Sequence, residues 1–243
     1  NEEAALSGVL QDLAAHAADF DVLVVDDGSE DGTFQVAVDA GVKVAPLPFN
    51  LGVGGALRTG FRYAVDHGYR RAVQFDADGQ HQAVEIAKLL DGLDSGLDLV
   101  IGSRFASDEA GYRVGAVRGG GMYVLRAALR VLAAQQFTDP SSGFRAFSAP
   151  MFGYFARTCP AEYLGDTVEA LLLAVYEGFG VGEVPVAMRQ RQDGQASNRN
   201  LMLMFHFLRL LLVIVFTASR RGRRRRGSEG KVGTPWGPEH TSS

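Results

Sequence analysis
Short, β-branched apolar runs alternating with helix-patterned stretches constrain this chain more than any other feature. Val22–Val25, Val42–Ala45, Ala72–Phe75, Leu99–Gly102 and Val181–Met188 read as strands, each bounded by Gly, Asp or Pro. Between them, Leu6, Val9, Leu10 and Leu13 recur at helical spacing. Leu57, Phe61, Ala64 and Val65 do the same, as do Ile86, Leu89, Leu90 and Leu93, and 122–131 gives a fourth pattern. Strands that are apolar throughout and separated by helices predict an α/β fold, a mainly parallel sheet with helices on both faces. In such sheets ligands gather beyond the carboxyl ends of the strands. With 243 residues, 47% of them apolar, the chain is long enough for one sizeable core.

The order has one irregularity. "NEEAAL" begins with Asn1, which reads as a helix N-cap followed by acidic first-turn residues, and no strand precedes that helix. A parallel α/β domain normally starts with a strand, so the first strand is expected to be lacking. The acidic and small residues of this opening do not read as a signal peptide. Cys159 is the single cysteine, which excludes an internal disulfide or a cysteine-based metal site and fits a reducing compartment.

The net charge of −4 is unevenly spread, because Arg220–Arg226 ("RRGRRRR") holds six of the 24 basic residues. An acidic body with a basic tail is not the footprint of a nucleic-acid-binding domain. Ahead of the tail, Leu201–Ser219 is apolar but interrupted by His206 and Arg209. It falls marginally short of the roughly 20 apolar residues that span a bilayer. A polar stripe on one face, followed by arginines, suits a helix lying in the membrane interface. A core helix and a contact to a membrane-embedded partner are the other readings. Residues 227–243 are rich in Gly, Ser and Pro and read as disordered.

The motifs fall at strand ends. In "VQFDADGQHQ", Asp76 and Asp78 follow a strand at once, and Gln80 adds a neutral oxygen. Hard divalent cations take that donor set, and a cation held there can also hold a diphosphate; a solvated acidic turn is the plainer reading. An EF-hand loop is excluded, since its sixth position is His81 and its twelfth Ala87. One strand earlier, "VVDDGSEDGT" places Asp26, Asp27, Gly28 and Ser29 where acidic groups can accept hydrogen bonds from a nucleobase and ribose, while Asp31–Thr33 can cap the next helix. "NLGVGGALRTG" contains Gly52-x-Gly54, but Leu57 stands where a dinucleotide fingerprint needs a third glycine or alanine. Its glycines serve a phosphate approach or close helix packing equally well. "GSRF" brings Arg104 to a strand end, suited to phosphate oxygens, and "DPSSGFRAF" brings Arg145, for which an internal salt bridge is the plainer role. "RQRQDGQASN" reads as a loop over a ligand or a plain connection.

Together these segments resemble glycosyltransferase family 2, with its GT-A fold, and within it the dolichol- or polyprenyl-phosphate glycosyltransferases. The resemblance runs from Asn1 to about Ser219 through "NEE", "VVDDGSEDGT", "NLGVGGALRTG", "DADGQH", "GSRF", "DPSSGFRAF", "LGDTVEALLLA" and "RQDGQAS". It implies a GT-A domain over 1–200, an apolar membrane-associating or packing helix over 201–219, and a basic tail over 220–243. It also implies that Asp76, Asp78 and Gln80 hold Mg²⁺ or Mn²⁺. Asp26, Asp27, Gly28, Ser29, Gly52, Asp76 and Arg104 would bind the nucleotide-sugar, and Arg104, Ser142 and Arg191 would meet the acceptor phosphate. The implied activity is metal-dependent, inverting transfer of a sugar to an acceptor, a polyprenyl phosphate, in cell-envelope glycan synthesis. Its place would be the inner face of the cell membrane, with the membrane surface and a small membrane protein as partners. An ionised lipid phosphate needs no strong base; a hydroxyl acceptor would need one, for which Asp166 is the first candidate and Asp139 the second. Asp166 is equally read as a carboxylate favoured by a helix N-terminus. Two other readings stay open: a sugar-phosphate nucleotidyltransferase, although no Gly-rich, Arg/Lys-bearing loop lies near the start, and a truncated, non-catalytic membrane scaffold.

Overall fold
The computed structural model describes residues 1–106, 129–130, 135–158 and 165–189. Cys159, Arg191, the segment 201–219, the tail 220–243 and most of the helix expected over 122–131 lie outside the described residues. In chain order the elements are α1 (Glu3–His16), β1 (Leu23–Asp26), α2 (Thr33–Asp39), β2 (Lys43–Pro46), α3 (Gly52–Asp66) and β3 (Arg71–Gln74). There follow one 3₁₀ turn (Ala83–Glu85), α4 (Ile86–Asp94), β4 (Leu99–Ser103), β5 (Arg145–Ser148), α5 (Ala149–Thr158), α6 (Gly165–Tyr176) and β6 (Val181–Pro185).

All five strands expected from the sequence form, and β5 is an addition. It runs antiparallel between β3 and β4, giving the order β3-β5-β4-β6, with β4 and β6 parallel. The sheet is therefore mixed. Strands β3, β4 and β6 share one direction, so their carboxyl ends and the amino end of β5 meet at one rim. "RAFS" is short and starts with a charge, and it earns its central place by burial: Arg145, Ala146 and Phe147 are all buried.

Alternation of side chains across the pleat sorts the core into two layers. Leu99, Ile101 and Phe147 face α3, α5 and α6, where Phe61, Phe152, Phe155 and Leu171 pack. Val100 and Ala146 face the other way, onto α1 and α4, where Leu6, Leu10, Leu89 and Leu93 pack. The three helical stripes that fall within the described residues are thus the faces that bury, except that Val65 stays exposed.

Strands β1 and β2 form a separate parallel pair. Between β1 and β3 lies a slot of about 540 Å³. Leu6, Leu10 and Leu13 of α1 line it on one face, and Ala56, Leu57 and Phe61 of α3 on the other. Helix α1 begins one residue later than an Asn1 N-cap would place it. Glu2 holds that position without a side-chain cap, and the Asn1 amide oxygen instead accepts from the Glu30 N–H at 2.7 Å. The Asn1 amino group donates to Ser29 Oγ at 3.2 Å, which sets it beside the carboxyl end of β1.

Among the described residues no helix is long and apolar enough to cross a membrane.

Candidate active site
The rim is built by four chain reversals. After β1, the Asp26 carboxylate is buried and accepts from the Ser29 N–H at 3.1 Å, closing the turn that Gly28 opens. Gly28 has φ +73°, and a Cβ there would stand 3.0 Å from the Asn50 nitrogen, so the position demands glycine. Asp27 Oδ1 accepts from the Leu51 N–H at 2.6 Å, and Asn50 Oδ1 from the Gly52 N–H at 3.0 Å. The first-strand acidic pair and the glycine-rich segment are therefore one unit at the start of α3. Asp31 Oδ1 accepts from the Thr33 N–H at 3.0 Å, but the N-cap position of α2 falls on Gly32, which has no side-chain cap.

After β3 comes "DADGQH". Asp78 Oδ1 accepts from the Gln80 N–H at 3.0 Å across Gly79, whose φ is +75°. The Gln80 carbonyl accepts from the Arg189 N–H at 2.8 Å, tying this loop to the segment after β6. Asp76 stays 45% exposed. Its Oδ1 lies 3.4 Å from Gln74 Nε2, and a Cβ on Gly143 would stand 2.5 Å from its Oδ2. The Gly143 backbone thus passes directly beside that carboxylate.

His81 is the residue whose importance the sequence did not announce; there it served only to exclude an EF-hand. It is buried, its Nδ1 accepts the Asp76 N–H at 3.0 Å, and its Nε2 lies 3.7 Å from Asp76 Oδ2. Burial pushes the imidazole pKa down, against a weaker upward pull from Asp76 and Asp78. A histidine directly after a D-x-D-x-Q set was the available signal.

Arg104 follows β4 and is gripped by Asp139. Its Nε and Nη2 donate to the two carboxylate oxygens at 2.7 and 2.9 Å, and its backbone N–H donates to Oδ2 at 3.2 Å. Asp139 is in turn positioned by Glu183 on β6, whose carboxylate accepts from the backbone N–H groups of Asp139 (2.9 Å) and Thr138 (2.6 Å). Glu183 was not singled out in the sequence, because one glutamate in a strand carries no distinguishing pattern. Arg145 wraps the "DPSSG" turn by donating to the carbonyls of Ser142 (2.7 Å) and Pro140 (2.8 Å). Ser142 is buried, its Oγ accepting from the Phe144 N–H at 3.3 Å. Asp166 lies in the first turn of α6.

Removing one partner of a buried ion pair strands the other charge and costs about 3 kcal/mol. Asp139 is fully buried and Arg104 is 20% exposed. Asp139→Ala is therefore expected to lower the unfolding free energy by about that amount, read as a shifted urea midpoint at unchanged slope.

As a donor set, two carboxylates and an amide oxygen offer the hard oxygens that Mg²⁺ and Mn²⁺ prefer. Among the described residues no three His, Cys, Asp or Glu side chains cluster closely enough to hold a metal by themselves. Two carboxylates at a strand end match a cation that keeps part of its coordination for phosphate oxygens and water.

Residues 1–153 match the family model described as glycosyl transferase family 2. The chain belongs to glycosyltransferase family 2. It is 30% identical over 223 residues to the UDP-N-acetylglucosamine–dolichyl-phosphate N-acetylglucosaminyltransferase of Methanococcus voltae, covering 84% of this chain and 88% of that one. It is 31% identical to the undecaprenyl-phosphate mannosyltransferase of Micrococcus luteus, over 81% of this chain and 83% of the relative. In fold it is similar to glucosyl-3-phosphoglycerate synthase from Mycobacterium tuberculosis, solved with Mn²⁺, UDP-glucose and phosphoglyceric acid. That likeness has a TM-score of 0.67 at 21% identity and covers 90% of this chain and 76% of the other. The chain is a glycosyltransferase with the α/β architecture expected from its sequence.

Proposed function
We propose that this glycosyltransferase moves a sugar from a nucleoside-diphosphate donor to a polyprenyl phosphate at a membrane surface, with inversion at the anomeric carbon. The observation that carries the reading is the gathering of "DADGQ", Arg104 and the Ser142–Gly143 turn at one rim of the sheet. The Gly143 backbone lies against the Asp76 carboxylate. The dolichyl- and undecaprenyl-phosphate specificities in the relatives' names support the acceptor.

Each residue has a task in this reading. Asp26, Asp27, Ser29 and the turn at Gly28 receive the nucleoside, and the start of α3 at Gly52 approaches the phosphates. Asp76 and Asp78, with the Gln80 amide oxygen, would hold Mg²⁺ or Mn²⁺, which neutralises charge on the diphosphate leaving group. Arg104, aimed by Asp139, adds a fixed positive charge where negative charge grows. Ser142 and Arg191 serve the acceptor phosphate. That phosphate is already ionised at neutral pH and attacks without a strong base. Because Asp139 is committed to Arg104 through both oxygens, a hydroxyl acceptor would leave Asp166 as the base. The segment 201–219 and the arginines after it bring the rim to the lipid surface on the inner face of the membrane, alone or with a small membrane protein.

The test is transfer of radiolabelled sugar from a panel of UDP- and GDP-sugars into extracted lipid. EDTA is expected to abolish incorporation and added Mn²⁺ to restore it. Undiminished transfer in EDTA removes the cation from the scheme, and incorporation with no lipid phosphate present removes the proposed acceptor.

A further inference from the structure
The Asp76 loop and the turn before β5 are locked together by one aromatic stack, and His81 is at its centre. Its ring lies over Phe144 at 4.7 Å between centroids and 18° between planes. Phe75 closes the cluster edge-on, 5.2 Å from His81 and 5.4 Å from Phe144. An apolar ring would fill this place equally well for packing. A histidine adds two polar atoms to a buried site, where an unmatched polar group costs free energy. Both lie near Asp76: Nδ1 accepts its backbone N–H at 3.0 Å, and Nε2 lies 3.7 Å from Oδ2. With Nδ1 engaged as an acceptor, the neutral ring carries its proton on Nε2, so the atom nearest the carboxylate is a donor.

We propose that His81 is a positioning residue that fixes the Asp76 carboxylate for cation binding and couples its loop to the Ser142–Phe144 turn on the acceptor side. The inference deepens the proposed function and rests on Asp76 being a cation ligand. Outer contacts of this kind orient metal-binding carboxylates, and their loss typically weakens metal affinity 10–100-fold. His81 touches no reacting atom and acts through Asp76.

The experiment is Mn²⁺ titration of the full 243-residue chain, followed by electron paramagnetic resonance, for the wild type and for D76N, H81F and H81N. Phenylalanine keeps the stack and removes both nitrogens. Asparagine keeps an acceptor near the Nδ1 position but loses both the stack and the Nε2 donor. Binding in D76N is expected to be lost. H81F should bind Mn²⁺ about 10–100-fold more weakly with its melting temperature retained, and H81N should be weakened by at least about tenfold. Wild-type affinity in H81F overturns the His81 proposal while leaving Asp76 as a ligand. If H81F fails to fold, H81N decides: a loss of about tenfold in the folded variant supports the proposal and affinity within about threefold of wild type overturns it. Equal Mn²⁺ binding by wild type and D76N overturns the cation reading itself, and the proposal for His81 with it.

Discussion
Replacing Asp78 by alanine is expected to lower sugar transfer roughly 10³-fold in kcat/KM, while the fold and its melting temperature stay within experimental error of wild type. The size follows from the task assigned to the site. A cation on the diphosphate supplies several kcal/mol of charge stabilisation in the transition state, and each 1.36 kcal/mol is about tenfold in rate. The small structural cost follows from the surroundings. Asp78 is partly exposed, and its one described hydrogen bond accepts from the Gln80 N–H across a tight turn. Surface substitutions of this kind usually stay within about 0.5 kcal/mol. Asp76→Asn should be as severe, and the double variant no worse than the poorer single one, because ligands of one cation act as a unit. Steady-state kinetics with Mn²⁺ present decide the matter: full turnover by Asp78→Ala eliminates the scheme.

An apolar strand joined to Asn1 is expected to raise the melting temperature by about 10 °C. The slot between β1 and β3 has a β-strand edge on each side and the apolar faces of α1 and α3 above and below. Its flanking strands are four residues long, so four residues of Val or Ile would span it. Each branched side chain buried contributes about 1.5–3 kcal/mol, and ordering each residue costs about 1–2 kcal/mol. Main-chain hydrogen bonds to both edges add about 1 kcal/mol each. For valine-sized side chains, at the low end of that range, burial and ordering nearly cancel over four residues. About four main-chain bonds then leave a net gain of about 4 kcal/mol, and 1 kcal/mol moves the melting point by about 2–4 °C at this chain length. The join is geometrically direct, because the Asn1 amino group sits beside Ser29, where a strand parallel to β1 would emerge. Differential scanning calorimetry of Val-Val-Ile-Val added before Asn1, against a Gly-Ser tetrapeptide, reads the effect. Equal melting of the two extensions shows that the slot does not take a strand.

The legible part of the site is the part encoded locally. Asp76, Asp78 and Gln80 follow the end of an apolar run, and that position alone sends them to the carboxyl rim of a sheet. Asp26 and Asp27 stood out for the same reason, as did Arg104 after β4. What could not be read was each residue's partner. Asp139 reads as a second candidate base, yet its carboxylate grips an arginine 35 residues away and its backbone N–H donates to a glutamate 44 residues further along the chain. Asn1 read as a cap, but its side chain turned to a neighbouring loop.

Alternating strands and helices, with their periods of two and 3.6, determined the layered α/β architecture, because those periods state which face each element must bury. The tertiary structure alone decided that Arg145–Ser148 enters the sheet as an antiparallel strand. It alone decided that Phe144 lands on His81 and that Gly143 passes beside Asp76. These are contacts between segments far apart in the chain. They are selected by how whole layers pack, and no local pattern specifies them.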